Sequence, residues 1–211
     1  NLVEKGSKRI ISSAINSYEM LNNKIFVINE SGFLSVFDPS TGLLETIGRP
    51  GFYLSKNMAK FAQSQDGEIA ILDSSGGIYL WNGEDNIHPV DGGAKAIYFD
   101  EDGEKMLMVK ENDIEILWMK DNPYQPFQKK SFQETILRVT SPIEDARWLY
   151  RDNAHIAIRT ADGVFLTEID GRGGRNTVEL FSGKTDEILT SPQIPDAVFF
   201  RQEKIWHKIE L

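Results

Sequence analysis

An all-β protein is predicted, and three observations carry that expectation. Helical spacing of apolar residues is hard to find over stretches of about 11 residues or more. β-Branched and aromatic residues dominate the periodic segments. One pattern also recurs five times: a short apolar strand, a tight turn rich in Gly, Asp, Asn or Ser, then a second alternating strand.

The copies run in order along the chain. The first is Lys24–Ile28, the turn Asn29–Gly32 and Phe33–Phe37; the second is Glu68–Leu72, the turn Asp73–Gly77 and Ile78–Trp81. The third is Lys105–Val109, the turn Lys110–Asp113 and Ile114–Trp118, and the fourth is His155–Ile158, the turn Arg159–Gly163 and Val164–Ile169. The fifth is Val198–Phe200, the turn Arg201–Lys204 and Ile205–Ile209. The second strands begin at Phe33, Ile78, Ile114, Val164 and Ile205, spaced by 45, 36, 50 and 41 residues with a mean of 43. A unit of about 40–45 residues with four short strands is the signature of a β-propeller blade. Candidate inner strands precede the hairpins at Ile11–Ile15, Ala59–Ala62, Ala94–Phe99, Asp145–Tyr150 and Glu187–Thr190. Candidate outer strands follow at Leu43–Ile47, Ile87–Val90, Thr135–Val139 and Thr177–Phe181.

The expectation is one propeller domain over residues 1–211, with blades near 10–48, 57–91, 94–140, 143–182 and 185–211. The last blade lacks an outer strand. Residues Leu2 to Arg9 are expected to supply it, pairing with Lys204 to Ile209 and closing a five-bladed ring without exposed sheet edges. The rival expectation is an arc of a larger ring. The opening Asn1-Leu2-Val3 has no initiator Met, so a processed or excised part of a longer protein is expected, which leaves room for an anchor or leader lost with the rest.

Composition mainly excludes. There are 211 residues, with 23 Lys+Arg against 32 Asp+Glu, a net charge of −9. This balance argues against nucleic acid or an anionic membrane as partner, since both attract a basic face. The apolar runs fall well short of the roughly 20 residues of a membrane helix, so no membrane insertion and a soluble domain are expected. With no cysteine there is no disulfide, thiolate metal site or cysteine nucleophile.

No catalytic set emerges. His88, His155 and His207 fall on different strands of different blades without metal-ligand spacing. Asp100-Glu101-Asp102-Gly103-Glu104 has the oxygen density of a calcium loop, but Lys105-Met106-Leu107-Met108 follows as a strand without further ligands. It reads as turn chemistry, matched by Asp66-Gly67 and Asp152-Asn153. Gly171-Arg172-Gly173-Gly174-Arg175-Asn176 could cradle an anion, yet a strand follows where a phosphate loop needs a helix. The inner strands carry Lys60, Lys95, Arg147, Asp145 and Glu187, a mixed set that ties no two carboxylates into a glycosidase pair. Tyr79, Trp81, Trp118, Phe165 and Trp206 recur on second hairpin strands, where packing between blades is favoured over a sugar platform. No cofactor or metal is expected. Pro50-Gly51-Phe52-Tyr53-Leu54 and Asn122-Pro123-Tyr124-Gln125-Pro126-Phe127 place apolar rings in loops, where a rigid scaffold meets partners. The alternative is that each loop folds back to cap its own blade.

Phe99-Asp100-Glu101-Asp102-Gly103-Glu104-Lys105-Met106-Leu107-Met108-Val109 resembles the F-S-P-D-G-K-K-L turn of TolB-like and WD40-like propellers, and Phe37-Asp38 and Trp81-Asn82 more distantly resemble the Trp-Asp end of a WD blade. The stretch from Ile136 to Leu180, through Ala146-Arg147-Trp148 and Thr167 to Thr177, resembles propellers beside PEGA domains in bacterial surface proteins, over about a fifth of the chain. The first blade departs from the pattern by lacking the acidic Asp-Gly turn, and the last carries Gln193-Ile194-Pro195-Asp196 there. The resemblance implies an extracytoplasmic, membrane-anchored parent and supplies no catalytic residues.

The expected function is a non-enzymatic scaffold that binds a protein partner as part of a larger cell-surface protein. Phe52, Tyr53, Tyr124, Phe127, Arg172 and Arg175 are its candidate contact residues. The alternative from a different class is a carbohydrate-binding or carbohydrate-active propeller, a lectin or a glycosidase, with a glycan as ligand.

Overall fold

A computed structural model describes residues 15–50, 60–83 and 86–211, together with strands β1 (Leu2–Val3) and β2 (Ile10–Ser12). All regular structure among the described residues is β-strand. The chain divides into two compact units, Asn1–Ala94 and Lys95–Leu211.

In the first unit, β3 (Ile15–Leu21), β4 (Lys24–Asn29), β5 (Leu34–Asp38) and β6 (Leu43–Pro50) form an antiparallel meander. A second meander contains β7 (Lys60–Gln63), β8 (Ile69–Leu72), β9 (Ile78–Trp81) and β10 (Asn86–Asp91). Two parallel partners, Asn86 with Arg49 and Ile87 with Pro50, join the two outer strands. Phe26, Ile28 and Leu34 from one sheet pack with Phe61, Ile69, Ile71 and Ile87 from the other. Gly48 lets the sheets approach closely, since a Cβ there would lie 3.0 Å from Trp81 Cδ1.

The second unit repeats the plan. Its first sheet is β11 (Ala94–Phe99), β12 (Lys105–Lys110), β13 (Asp113–Trp118) and β14 (Gln133–Arg138). Its second is β15 (Ile143–Trp148), β16 (His155–Thr160), β17 (Gly163–Glu168) and β18 (Thr177–Ser182). Its third has three strands, β19 (Glu187–Ser191), β20 (Ile194–Gln202) and β21 (Ile205–Glu210). One cluster, including Leu107, Ile116, Trp118, Ala146, Trp148 and Ile158, fills the space between the first two sheets. Another, with Ala157, Val164, Ile188, Val198 and Phe200, joins the last two.

Burial explains the hairpin sequences. Middle strands are covered on both faces, so β8 and most of β12 and β13 read as continuous apolar runs, whereas β15 alternates. Ile69, Ile71, Ile156 and Ile158 are all buried, each contributing about 1.5–3 kcal/mol by leaving water.

Two expectations require correction. The inner strand of the first sheet is Ile15–Leu21 and not Ile11–Ile15. Asn22 and Asn23, at φ of 49° and 62°, make the two-residue turn that returns the chain into β4, a backbone state that Asn tolerates. Leu2–Val3 pairs with Ile10–Ser12, not with the last strand; the rest of the anticipated closing segment, residues 4–9, lies outside the described residues.

The acidic turn is held by its own backbone. Asp100 Oδ1 accepts from the amides of Glu104 (2.8 Å) and Lys105 (3.1 Å), and Gly103 takes a φ of 63°. Asp73 repeats the device, accepting from Ser75 N, Ser75 Oγ and Gly77 N.

Candidate functional site

The loop between β13 and β14 begins where the sheet stops. Trp118 closes its base: its amide donates to Phe132 O (2.9 Å) and its carbonyl accepts from Ser131 N (2.7 Å). The Trp118 indole N–H reaches Glu134 Oε1 at 3.3 Å. Met119 N donates to Glu104 O, so the loop also rests on the turn between β11 and β12.

Further out the loop closes on itself. Asn122 N donates to Gln128 O at 2.8 Å and Gln128 N returns to Asn122 O at 3.2 Å. The Asn122 side chain spans the ring so formed, donating to Pro126 O and accepting from Tyr124 N. Lys130 N donates to Asp121 Oδ1. These bonds close the loop without the aromatic rings, which stay outside. Tyr124 is 77% and Phe127 68% exposed. The loop does not cap its blade with these rings. A small cleft of about 240 Å³ opens beside Phe127, bounded by Asp121, Pro123 and Lys129.

The Gly-rich loop between β17 and β18 meets this one. Arg172 grips Asp170 through Nε and Nη2, at 2.9 Å and 2.5 Å from Oδ2, and donates its other terminal nitrogen to Gln125 Oε1. These Arg172 hydrogen bonds hold the Asp170 carboxyl down at about 2. Arg175 points inward. Its Nε donates to Ile169 O, Nη1 to Thr135 O and Nη2 to Glu134 Oε2 at 2.5 Å. All three nitrogens are engaged, so Arg175 anchors one loop to the next sheet while Arg172 stays at the rim. Arg172 is thereby tied to the loop that carries Tyr124 and Phe127. Phe52 and Tyr53 lie outside the described residues.

The remaining candidates are dispersed. His155 Nδ1 lies 2.8 Å from Asp152 Oδ2, His207 stacks on Phe200 with centroids 5.0 Å apart, and His88 is exposed. Asp145 pairs with Arg147, which stacks over Tyr98; burial pushes the Asp145 carboxyl upward against the pull of Arg147. Glu187 pairs with Arg201. Trp118 is buried as expected, but Trp206 is exposed and lies under Arg201. Trp206 lies on β21, the edge strand of its three-stranded sheet among the described residues. Among the described residues no group of three His, Cys, Asp or Glu side chains could hold a metal, and no helix is long and apolar enough to cross a membrane.

Sequence reasoning passed over Lys105. It is buried, 2.8 Å from Asp100 Oδ2, and its ammonium lies 5.3 Å and 5.8 Å from the ring centroids of Trp118 and Trp148. The signal was a Lys at the first position of an apolar strand directly after an Asp-Gly turn.

Sheets of this plan, stacked face to face, define an all-β propeller. Solved structures agree on that class. The β-propeller domain of Myceliophteria thermophila Cps50 (Swd1) superposes with a TM-score of 0.64 at 12% identity, over 95% of this chain and 66% of that one. YCF48 from Cyanidioschyzon merolae gives 0.55 at 13% identity, over 87% and 65%, and YCF48 bound to D1 peptide gives 0.51 at 16%, over 86% and 59%. The chain thus spans about two thirds or less of the length of these structures. No protein-family model and no curated protein matches it. The fold is an all-β propeller.

Proposed function

We propose that this chain is a non-enzymatic propeller scaffold that binds a protein segment at the rim formed by Tyr124, Phe127 and Arg172. One observation carries the reading. The 122–128 loop is closed by its own hydrogen bonds and still leaves two aromatic rings in water. Covering such rings removes apolar surface from water, and aromatic residues with Arg are the side chains that most often dominate binding energy. Because the loop is already closed, little ordering is left to oppose association. A relative by fold, YCF48, is described as bound to a D1 peptide, which fits a peptide-binding use of this architecture.

A setting outside the cytoplasm, in a larger bacterial surface protein, belongs to the same reading. It rests on the resemblance of residues 136–180 to PEGA-associated propellers. Labelling of intact cells by an antibody to this chain supports it, and labelling only after lysis removes it.

The test is selection of a displayed random peptide library on the immobilised chain, with the Tyr124→Ala/Phe127→Ala variant in parallel. Enriched peptides should bind the native chain and lose about tenfold or more on the variant, the scale of an interface hot spot. A glycan array and a glycoside hydrolysis screen form the second arm. Glycan binding, or turnover, without peptide enrichment would replace this reading with the carbohydrate one.

A further inference from the structure

A cleft of about 410 Å³ lies between the outer strand of one sheet and the face of the next, within the usual size range of ligand pockets. It runs from the far end of β14, away from the Tyr124 loop. Leu137 and Val139 form one wall; Ile158 and Phe165 form the other. At its mouth sits Asp162, an exposed carboxylate whose Oδ2 accepts from Ser141 Oγ at 2.8 Å.

The walls are set before any ligand arrives. Asn112 ties the β14 side, accepting from Val139 N at 2.9 Å and donating its side-chain amide to Thr140 O at 3.2 Å. On the other side Asp162 N donates to Thr160 Oγ1, and Gly183 N donates to Asp162 O at 2.7 Å. The charge at the mouth is not balanced. Arg138 is taken up by Asp113, 2.7 Å from its Nε, and no cation pairs with Asp162 among the described residues. Arg138 also lines the cleft, but its charge is met by Asp113, which leaves the Asp162 carboxylate as the charge without an ionic partner beside a mainly apolar cavity.

We infer that this cleft docks an extended peptide segment of a protein partner that inserts one large apolar side chain and places the following Lys or Arg on Asp162. An apolar side chain fills the volume between Leu137, Val139, Ile158 and Phe165, and the basic group completes the unpaired carboxylate. The fixed walls mean that recognition needs no rearrangement. This inference does not depend on the Tyr124 rim, which a separate loop builds.

The probes are three acetylated hexapeptides, Ser-Gly-Leu-Arg-Gly-Ser and its counterparts with Glu for Arg or Ala for Leu. The readout is the methyl NMR spectrum of the whole chain. The Leu-Arg peptide should shift the methyl signals of Leu137, Val139 and Ile158, and the other two should bind more weakly. Asp162→Asn keeps an acceptor for Ser141 but removes the charge, and should weaken the Leu-Arg peptide about two- to fivefold, the scale of an exposed ion pair. Val139→Phe should plug the cleft and abolish the shifts; Asp162→Asn decides the matter should that variant not fold. The Tyr124→Ala/Phe127→Ala variant should leave the shifts intact. Equal binding of the Glu and Arg peptides, or shifts confined to other methyl groups, would overturn the inference. So would n-hexylammonium binding as tightly as the peptide, which assigns the cleft to a small amphiphile. Concentration-dependent self-association abolished by Asp162→Asn assigns it to a second copy and equally overturns it.

Discussion

Replacing Lys105 with Met tests how the stacked sheets of the second unit are held. Lys105 and Asp100 side chains are 7% and 0% exposed and 2.8 Å apart, and the ammonium is flanked by Trp118 and Trp148. Methionine preserves the length and apolar stem but leaves the Asp100 carboxylate buried with only its two backbone amides. Breaking a buried pair from one side costs about 3–5 kcal/mol. For a chain of this length each kcal/mol shifts Tm by roughly 2–4 °C, so a fall of about 6–20 °C is expected. Thermal unfolding by circular dichroism measures it, with Trp fluorescence as a local probe. Asp100→Asn alone should also destabilise, because it strands the ammonium. Lys105→Met/Asp100→Asn should lose less than the two single changes added together, by about 0.5–3 kcal/mol. A Lys105→Met fall under about 2 °C, or strict additivity in the double variant, would refute the argument.

Three further outcomes are expected. Gly163→Ala should lower stability by about 1–3 kcal/mol, because the new Cβ would sit 2.2 Å from Phe181 O; unfolding in urea checks it. Glu203 and Lys204 turn the last hairpin at φ of 49° and 71°, a state that costs L residues other than Asn or Gly, so Glu203→Asn/Lys204→Gly should stabilise by about 1 kcal/mol and raise Tm. Asp170 is held at about 2 against an ordinary 3.8. A depressed carboxyl contributes stability that is complete above the unfolded value and is lost as pH falls from near 3.8 through about 2. Carboxyl NMR should therefore show Asp170 still ionised at pH 3 and Arg172→Ala returning its midpoint toward 3.8; a native midpoint near 3.8 would contradict the grip of Arg172.

The repeated hairpins were legible because their middle strands are buried on both faces, which writes burial directly into runs such as Ile69–Leu72 and Lys105–Val109. The edges were harder. Outer strands such as Thr177–Ser182 carry mostly exposed residues, so little burial pattern marks where they end. The first inner strand was misplaced because Ile10–Ile11 is more apolar than Asn16–Tyr18, although the Asn22-Asn23 turn was present as a signal. The equivalent hairpin positions of Trp118 and Trp206 suggest equal packing, yet Trp206 sits on the edge strand β21 and is exposed. Of the candidate site, Tyr124, Phe127 and Arg172 were readable as exposed loop residues. The opposite fate of Arg175 was not, since it depends on Glu134 and Thr135, which only the fold brings near. The cleft beside Asp162 has no sequence signature at all, because its walls come from strands of two different blades.

Photo-crosslinking reads out the rim directly. Benzoylphenylalanine is placed at position 124, or at position 18 as a control, since Tyr18 is 66% exposed on a different strand. A library-selected peptide is added and irradiated with each. Scaffold binding at the rim predicts a crosslink from position 124, lost with excess unlabelled peptide, and none above background from position 18. Equal labelling from both positions, or none from 124 while the peptide remains bound, would contradict it.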